Sequence, residues 1–288
     1  MQPTGPRPTG PRPTGLSSIG PSPTGPASTD TLATGAGTAP AAGRAKGLAA
    51  LYYGIAFHLC LLVFGLTSLA WSLPAGLLHR LLPRRWGEPL GQAAIATGFR
   101  FFLGVMRLTG VLRADLSALD ALRREGGLVI AANHPTMLDA VLLVSRLPRA
   151  VCITKASLWT NPFLGGGIRL AGYVPNDAPL GMIRRAATAV QGGRQLMIFP
   201  EGSRTRQAPV DAFHRSFAVI ARATRAPVQT VLIEAESPYL RKGWPLFRRP
   251  ALPLVFRVRL GRRFEPVADP DRFVARLESH VRAELGGG

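Results

Sequence analysis

The feature that most constrains this chain is a long apolar run from Leu48 to Leu78 that contains no formally charged residue. The run is longer than the ~20 residues that a helix needs to cross a bilayer. A secretory signal peptide has a shorter apolar region close to the N-terminus, whereas this run begins late and extends further. The run therefore predicts a membrane-embedded helix or helical hairpin over residues 48–90.

Basic residues flank the run on both sides, at Arg44 and Lys46 before it and at Arg80, Arg84 and Arg85 after it. Positive charge prefers the cytoplasmic side of a membrane, so matching flanks do not orient a single crossing. A segment that turns near Gly65 or at Pro74 would keep both of its ends on one side. We therefore slightly favour a hairpin or monotopic arrangement over one span.

The first 47 residues repeat Pro-Thr-Gly and contain almost no large apolar side chains. Such a composition cannot bury enough apolar surface to offset its ordering entropy, so we expect residues 1–47 to form a disordered tail. A docking role for the repeat is the less favoured alternative. The remaining roughly 240 residues suffice for one folded domain with a full core, which we place at residues 91–288.

The formal net charge of +19 comes almost entirely from arginine. A field of this sign favours anionic surfaces, either lipid headgroups or nucleic acid. The apolar anchor and the lack of a recognisable binding module disfavour nucleic acid. Cys60 and Cys152 lie in apolar runs without metal-ligand spacing and indicate no disulfide framework.

After residue 90, strand-like and helical runs alternate, which predicts an α/β fold with a mixed sheet flanked by helices. The strand-like runs are Leu128–Ala132, Val151–Thr154, Gln195–Phe199, Val228–Ile233 and Leu254–Leu260. The helical runs are Ala93–Thr109, Pro135–Arg146, Leu180–Gln191, Phe213–Thr224 and Asp269–Leu285. Asn133 is expected to cap the second of these helices, with Pro135 in its first turn.

A histidine and a carboxylate follow the first of these strands, as His134 and Asp139. A carboxylate bonded to one imidazole nitrogen fixes the tautomer, so that the other nitrogen can take a proton from a hydroxyl. The spacing therefore suggests general-base catalysis without a protein nucleophile. The alternative is structural, with His134 ending the strand and Asp139 capping the helix.

A second polar segment, Glu201-Gly202-Ser203-Arg204-Thr205, follows the Gln195 strand. Glycine permits close approach of the backbone to a ligand, and Arg204 can bind phosphate or carboxylate through two parallel hydrogen bonds. The segment predicts a loop that handles an anion or positions a substrate hydroxyl. An ordinary polar turn at a strand end is the alternative.

Together the two segments resemble the glycerolipid (lysophospholipid) acyltransferase family, in particular enzymes of the 1-acylglycerol-3-phosphate type. His134-x4-Asp139 is similar to the first block of that family, and Phe199-Pro200-Glu201-Gly202-Ser203-Arg204 is similar to the third. The segments Thr154–Leu158, Asn161–Gly165 and Ala171–Pro175 fit the intervening sequence, and Ala226-Pro227-Val228 resembles the fourth block without its second proline. The resemblance covers roughly residues 50 to 265.

The resemblance implies transfer of an acyl group from a thioester of coenzyme A or acyl carrier protein to a lipid hydroxyl. His134 would deprotonate the acceptor and Asp139 would orient the imidazole. The implied substrate-binding residues are Asn133, Lys155, Glu201, Gly202, Ser203 and Arg204. No metal or other cofactor is implied. The expected partners are membrane lipids and the acyl donor, at the cytoplasmic face of the cell inner membrane.

The chain departs from the family at the end of the second block. An arginine that helps to hold glycerol phosphate is common there, whereas this chain has Asp177. Arg169, Arg184 or Arg185 are possible substitutes. The departure leaves open a different acceptor, such as another lyso-lipid, an amino-acid-linked lipid or an aryl-polyene-type lipid. A non-catalytic protein that binds anionic membranes through its charge is the remaining alternative.

A basic and aromatic stretch, Tyr239 to Arg249, is typical of contact with an anionic membrane surface. A solvated loop with a few core aromatic residues is the alternative. We expect His79, His214 and His280 to be structural, since they have no partner at triad or metal-ligand spacing. His58, within the apolar run, is expected to be an interfacial or helix-packing residue.

Overall fold

The computed structural model describes residues 39–287, with side chains from residue 47 onward. Seven helices are described: α1 (Ala39–Leu81), α2 (Arg84–Leu108), α3 (Asp139–Arg146), α4 (Gly165–Leu170), α5 (Pro179–Gln191), α6 (Ser216–Thr224) and α7 (Pro270–Gly286). Short 3-10 helices lie at Ser117–Leu122 and Ala156–Thr160. Most of the expected tail falls outside the described residues, but its last part belongs to α1.

Seven strands form one sheet: β1 (Leu112–Asp115), β2 (Leu128–Ala132), β3 (Ala150–Thr154), β4 (Val174–Pro175), β5 (Gln195–Ile198), β6 (Val228–Ala235) and β7 (Leu254–Phe264). Their order is β1-β7-β6-β2-β5-β3-β4. β2 to β6 run parallel to one another, whereas β7 pairs antiparallel with β6 and β1 parallel with β7. The predicted mixed α/β sheet is therefore confirmed.

Helices cover both faces of this sheet and explain why its central strands read as continuous apolar runs. Every residue of β2 is buried. Leu128, Ile130 and Ala132 point into a core shared with α1, α2 and α3, while Val129 and Ala131 point into a second core. That second core is filled from α5, α6 and α7.

The apolar run forms one uninterrupted helix, so the predicted turn near Gly65 or Pro74 is wrong. α1 continues through both residues, and the chain turns at Leu82 and Pro83 before α2 begins. Proline starts a new helix readily because its missing N–H is unpaired there in any case. The expected boundary at residue 90 falls inside α2.

α1 lies along the folded domain and contacts it at widely separated points. Near its start, Arg249 donates a hydrogen bond to the carbonyl of Ala50. Near its end, the Ser72 hydroxyl accepts a hydrogen bond from the backbone N–H of Gly166 at 3.1 Å. Between them the ring of Phe64 packs against Phe102 with centroids 4.8 Å apart.

The opposite side of α1 is an exposed apolar stripe. Its members recur three, four or seven residues apart, as expected for one side of a helix. They are Leu48, Leu51, Ile55, Leu59, Leu62, Leu66, Leu73 and Leu77, each at least 46% exposed. Within residues 47–287, the helices on the other side of the sheet carry one exposed large hydrophobic side chain, Leu180 of α5, and α6 and α7 carry none. The exposed apolar surface is therefore concentrated on the α1 side.

Gly166 allows α4 and α1 to approach closely. A Cβ atom at this position would lie 1.8 Å from the carbonyl oxygen of Ser72. We expect Gly166→Ala to force the two backbones apart and to lower stability by about 1–3 kcal/mol, as other overpacked sites do. Thermal unfolding in detergent would measure this as a lower midpoint.

Gly98→Ala is the matched control, because Gly98 is also helical and a Cβ there meets no atom within 4 Å. Replacing a glycine in a helix by alanine should leave the midpoint unchanged or raise it. Equal effects of the two substitutions would contradict the close approach of α4 to α1.

Candidate active site

The polar segments found in the sequence meet at one edge of the sheet. β2 and β5 are adjacent and parallel, so the loops that follow Ala132 and Ile198 leave the sheet side by side. The backbone N–H of Thr205 donates to the carbonyl of His134 at 2.8 Å and joins the two loops. The carboxyl edge of parallel strands is where α/β proteins commonly bind ligands.

His134 and Asp139 form the pair that their spacing predicts. Nδ1 of His134 lies 2.8 Å from Oδ2 of Asp139. The imidazole stacks on the ring of Phe199, with centroids 3.9 Å apart. The His134 side chain is 16% exposed and, among the described residues, Nε2 has no hydrogen-bond partner. The free nitrogen is therefore the one that can meet a substrate.

The Asp139 carboxylate is fully buried, and Thr136 supplies most of its remaining partners. The Thr136 N–H donates to Oδ2 and the Thr136 hydroxyl donates to Oδ1, each at 2.7 Å. Burial raises the pKa of Asp139, while the hydrogen bonds from His134 and Thr136 act in the opposite direction. A carboxylate bonded in this way is held in one position and fixes the imidazole that contacts it.

Asn133 does not cap a helix, and the predicted start of that helix at Pro135 is wrong. α3 begins at Asp139, because the segment before it is held as a loop by the bonds of Thr136 to that carboxylate. The buried Asn133 amide instead bonds both the N–H and the carbonyl of Ile233, at 2.7 and 2.9 Å. Asn133 thus joins the end of β2 to β6, and both groups of its amide have protein partners.

Glu201 is likewise an internal partner of the loops. Its Oε1 accepts the backbone N–H of His134 at 2.8 Å, and its Oε2 accepts that of Asp211 at 2.9 Å. The side chain is buried, and burial raises the pKa of its carboxyl group. Both carboxylate oxygens accept backbone N–H groups, so Glu201 fixes the backbone position of His134.

The next three residues shape the loop after Glu201. Gly202 has φ +66°, in the left-handed region that favours glycine, and is exposed. The hydroxyl of Ser203 donates to the carbonyl of Arg204 at 3.2 Å. Nη1 of Arg204 donates to the carbonyls of Leu240 and Arg241, at 2.8 and 3.2 Å. Arg204 therefore fastens this loop to the one that follows β6.

The basic and aromatic stretch is a docked loop rather than a row of surface rings. Tyr239 is buried against Phe57 of α1, with ring centroids 5.3 Å apart. Leu240 has φ +60°, a strained value for a non-glycine residue, and its carbonyl also accepts the N–H of Met137 at 3.2 Å. Phe247, at 71% exposure, is the aromatic side chain of this stretch that faces outward.

Lys155 and Asp177 lie on the β3–β4 side of the same edge. Lys155 follows β3 directly and its side chain is exposed. Asp177 forms an ion pair with Arg185 of α5, which also donates to the carbonyl of Pro175. Arg185 thus neutralises the carboxylate that stands where the family has an arginine.

Comparisons with known proteins find similarity over the part of the chain that carries both polar loops. Residues 113–234 match the family model described as Acyltransferase. This segment therefore resembles an acyltransferase domain. It contains the sheet from β1 to most of β6 and both polar loops.

The curated relatives of the domain are 1-acyl-sn-glycerol-3-phosphate acyltransferases. The chloroplastic protein BAT2 of Brassica napus is 24% identical over 120 residues, which cover 40% of this chain and 35% of the relative. The protein from Cocos nucifera is 28% identical over 122 residues, which cover 40% of each. The chain thus spans well under half the length of these relatives.

The fold is shared with a solved structure. PlsC from Thermotoga maritima, a 1-acyl-sn-glycerophosphate (LPA) acyltransferase, matches with a TM-score of 0.64 at 18% identity. The match covers 82% of this chain and 95% of that one. At this identity the likeness shows the fold, which includes helices before the matched acyltransferase segment.

Three residues that shape the candidate site were not among the site residues predicted from the sequence. Thr136 completes the shell of Asp139, Phe199 supports the imidazole, and the Asp211 carboxylate accepts the N–H groups of Arg206 and Gln207 at 3.0 Å. Thr136 and Phe199 both lie inside the motifs. For Thr136, its position three residues before Asp139 was a signal in the sequence that its hydroxyl could bond the carboxylate. Asp211 gives no local signal because its role depends on the folded loop.

We expect Glu201→Gln to destabilise the loops without changing the preference between acceptors. The NH₂ group of the glutamine would face one of the two backbone N–H groups, and neither of these donors would then have an acceptor. A buried unsatisfied group of this kind should lower the free energy of unfolding by about 1–3 kcal/mol. Thermal unfolding should therefore show a lower midpoint, while the ratio of rates on two acceptors stays constant. A changed ratio at an unchanged midpoint would instead assign Glu201 to the headgroup.

Glu236→Gln is the matched control for this substitution. Glu236 is exposed and lies in the loop after β6. The same loss of one charge there should leave both the midpoint and the rates near those of the unsubstituted protein.

Proposed function

We propose that this protein transfers an acyl group from an acyl thioester to the hydroxyl of a lyso-lipid such as 1-acylglycerol-3-phosphate. The observation that carries the proposal is the bond between His134 and the buried Asp139, with Nε2 left free at the open edge of an acyltransferase domain. The names of the curated relatives support the choice of acceptor.

The proposed step uses His134 as general base. Nε2 takes the proton of the acceptor hydroxyl as its oxygen attacks the thioester carbonyl carbon. Asp139 holds the proton on Nδ1 and stabilises the imidazolium that forms. The tetrahedral intermediate then expels the thiolate, which receives the proton, and the products are an ester and a free thiol.

Asp139→Asn tests this mechanism directly. An asparagine amide can donate to Nδ1, which would move the imidazole proton to Nε2 and remove the base. We expect kcat to fall by about 10²–10⁴-fold, with little change in the KM of the acceptor. The assay uses membranes containing the protein, a labelled acyl-coenzyme A and lysophosphatidate.

Thr136→Val is the matched comparison, because it removes one hydrogen bond to Asp139 and keeps the carboxylate and its contact with His134. Its loss in kcat should be much smaller than that of Asp139→Asn. His134→Ala should be at least as inactive as Asp139→Asn. Acyl transfer by Asp139→Asn or His134→Ala at the rate of the unsubstituted protein would contradict the mechanism.

We further propose a monotopic attachment, with the domain at the cytoplasmic face of the inner membrane. The stretch of α1 from Ala50 to Ser72 is about 33 Å long at 1.5 Å per residue, and the domain contacts both ends. If this stretch of α1 crossed the ~30 Å hydrocarbon core, the domain that contacts both of its ends would also enter the hydrocarbon core. Placement of α1 along the membrane surface, with its apolar stripe inward, avoids this cost.

The paired substitution Leu62→Arg with Leu66→Arg tests the attachment. The two side chains are 56% and 58% exposed on the apolar stripe. Loss of two leucines from the lipid, each worth about 1.5–3 kcal/mol, should reduce binding to uncharged phosphatidylcholine vesicles at least about tenfold. Co-sedimentation measures the bound fraction.

The control pair is Ala275→Arg with Ala283→Arg, on exposed positions of α7 across the sheet. This pair adds the same charge to α7, whose described residues include no exposed large apolar side chain. The doubly substituted protein should bind vesicles as the unsubstituted protein does. Equal binding by both pairs would contradict the orientation.

A second candidate is acylation of an acceptor without phosphate. The neutralised pair of Asp177 with Arg185 favours it, since the arginine expected there from the resemblance is replaced by an acid. Rates on lysophosphatidate and on 1-monoacylglycerol, measured with acyl-coenzyme A and with acyl carrier protein, separate the two acceptors and identify the donor. A preference for monoacylglycerol would establish the second candidate.

A further inference from the structure

At the end of the second block, where the resemblance leads us to expect an arginine, the described part of this chain has no free cation. Asp177 stands there, and Arg185 is committed to it and to the carbonyl of Pro175. A phosphate approaching this place would meet a neutral ion pair. The charge of a bound phosphate would therefore have to be balanced by cations elsewhere along the carboxyl edge of the sheet.

Another part of the edge holds four positive side chains on three loops. They are Lys155 after β3, Arg204 and Arg206 after β5, and Lys242 after β6. Arg204 fixes their arrangement, because its hydrogen bonds to the carbonyls of Leu240 and Arg241 place the start of the Lys242 turn beside the β5 loop. The strained backbone of Leu240 is held there by these bonds.

The four charges have no counter-ion within the described part of the chain. None of them takes part in an ion pair between residues 47 and 287. The oxygens of Asp211, the nearby carboxylate, accept the backbone N–H groups of Arg206 and Gln207. Partial desolvation, followed by the charges of Arg206, Lys155 and Arg204, lowers the pKa of Lys242, and the charge of Asp211 acts in the opposite direction.

The cluster is next to the reacting group. Arg204 and Arg206 flank Thr205, whose N–H donates to the carbonyl of His134 at 2.8 Å. Met137, three residues after His134, donates to the same Leu240 carbonyl that Arg204 holds. An anion at the cluster would therefore lie beside the loop that carries the general base.

We propose that Lys242 and Arg206 complete, with Lys155 and Arg204, a binding site for the phosphate monoester of the acceptor, in place of the arginine missing at Asp177. The inference rests on the proposed function and names the residues that would recognise its acceptor. Cations on adjacent loops that form no ion pair with a carboxylate are an arrangement that a phosphate dianion stabilises. Lys242 and Arg206 belong to neither motif quoted for the resemblance.

The variants Lys242→Met and Arg206→Met test the site. At saturating acyl-coenzyme A, each should raise the KM for lysophosphatidate by roughly ten- to a hundredfold, the effect of losing one hydrogen bond to a charged group. The KM for 1-monoacylglycerol should not change. Lys242→Arg should keep a low KM for lysophosphatidate, and Arg276→Met on α7 serves as the remote control for loss of charge.

The acyl donor also carries phosphate, so a second arm separates the two sources. If Lys242 binds the donor, Lys242→Met would raise the KM for acyl-coenzyme A and leave that for an acyl-pantetheine donor unchanged. That result, or an equal rise in KM for lysophosphatidate and monoacylglycerol, would overturn the proposal.

A binding measurement makes the test independent of turnover. Glycerol 3-phosphate should raise the thermal midpoint of the unsubstituted protein and of Arg276→Met, with a smaller or no rise for Lys242→Met, while glycerol should have no effect on any of them. Absence of acyl transfer together with this pattern would reject the proposed function and retain the phosphate site. An equal rise in the unsubstituted protein and in Lys242→Met would reject the site.

Discussion

The buried carboxylate of Asp139 is the constraint on which the rest of the site depends. A charge without access to water must find its partners within the protein, and here they are Thr136 and the imidazole of His134. Those bonds hold residues 134–138 as a loop, so that α3 begins only at Asp139. They also direct Nδ1 of His134 inward, so the base that the proposed reaction needs is the nitrogen left outside.

The loops around this carboxylate form one connected unit. Glu201 holds the backbone of His134, Arg204 holds Leu240, and Asn133 joins β2 to β6. Three of the residues that the resemblance assigns to the substrate thus have protein partners that position the base or the neighbouring loops. Among the described residues, Arg204 bonds only carbonyl groups, so its charge has no carboxylate partner, and the proposed phosphate site combines it with Lys155, Arg206 and Lys242.

The central strands and the two motifs were predictable, because strands buried on both faces read as apolar runs and the polar residues follow them directly. The position of the helical turn was not, since α1 passes Pro74 unbroken with its inner side packed on the domain. β1 and β4 are short edge strands with weak patterns. The partners of Asn133 lie 100 residues away, and no local spacing reveals such a contact.

The tautomer of His134 is the most direct test of the account. Nitrogen-15 spectra of histidine-labelled protein in detergent, assigned by comparison with His134→Gln, would report which ring nitrogen carries the proton. We expect a protonated Nδ1 and an unprotonated Nε2 in the neutral imidazole, and the reverse in Asp139→Asn. A protonated Nε2 in the unsubstituted protein would contradict the assignment of His134 as the general base.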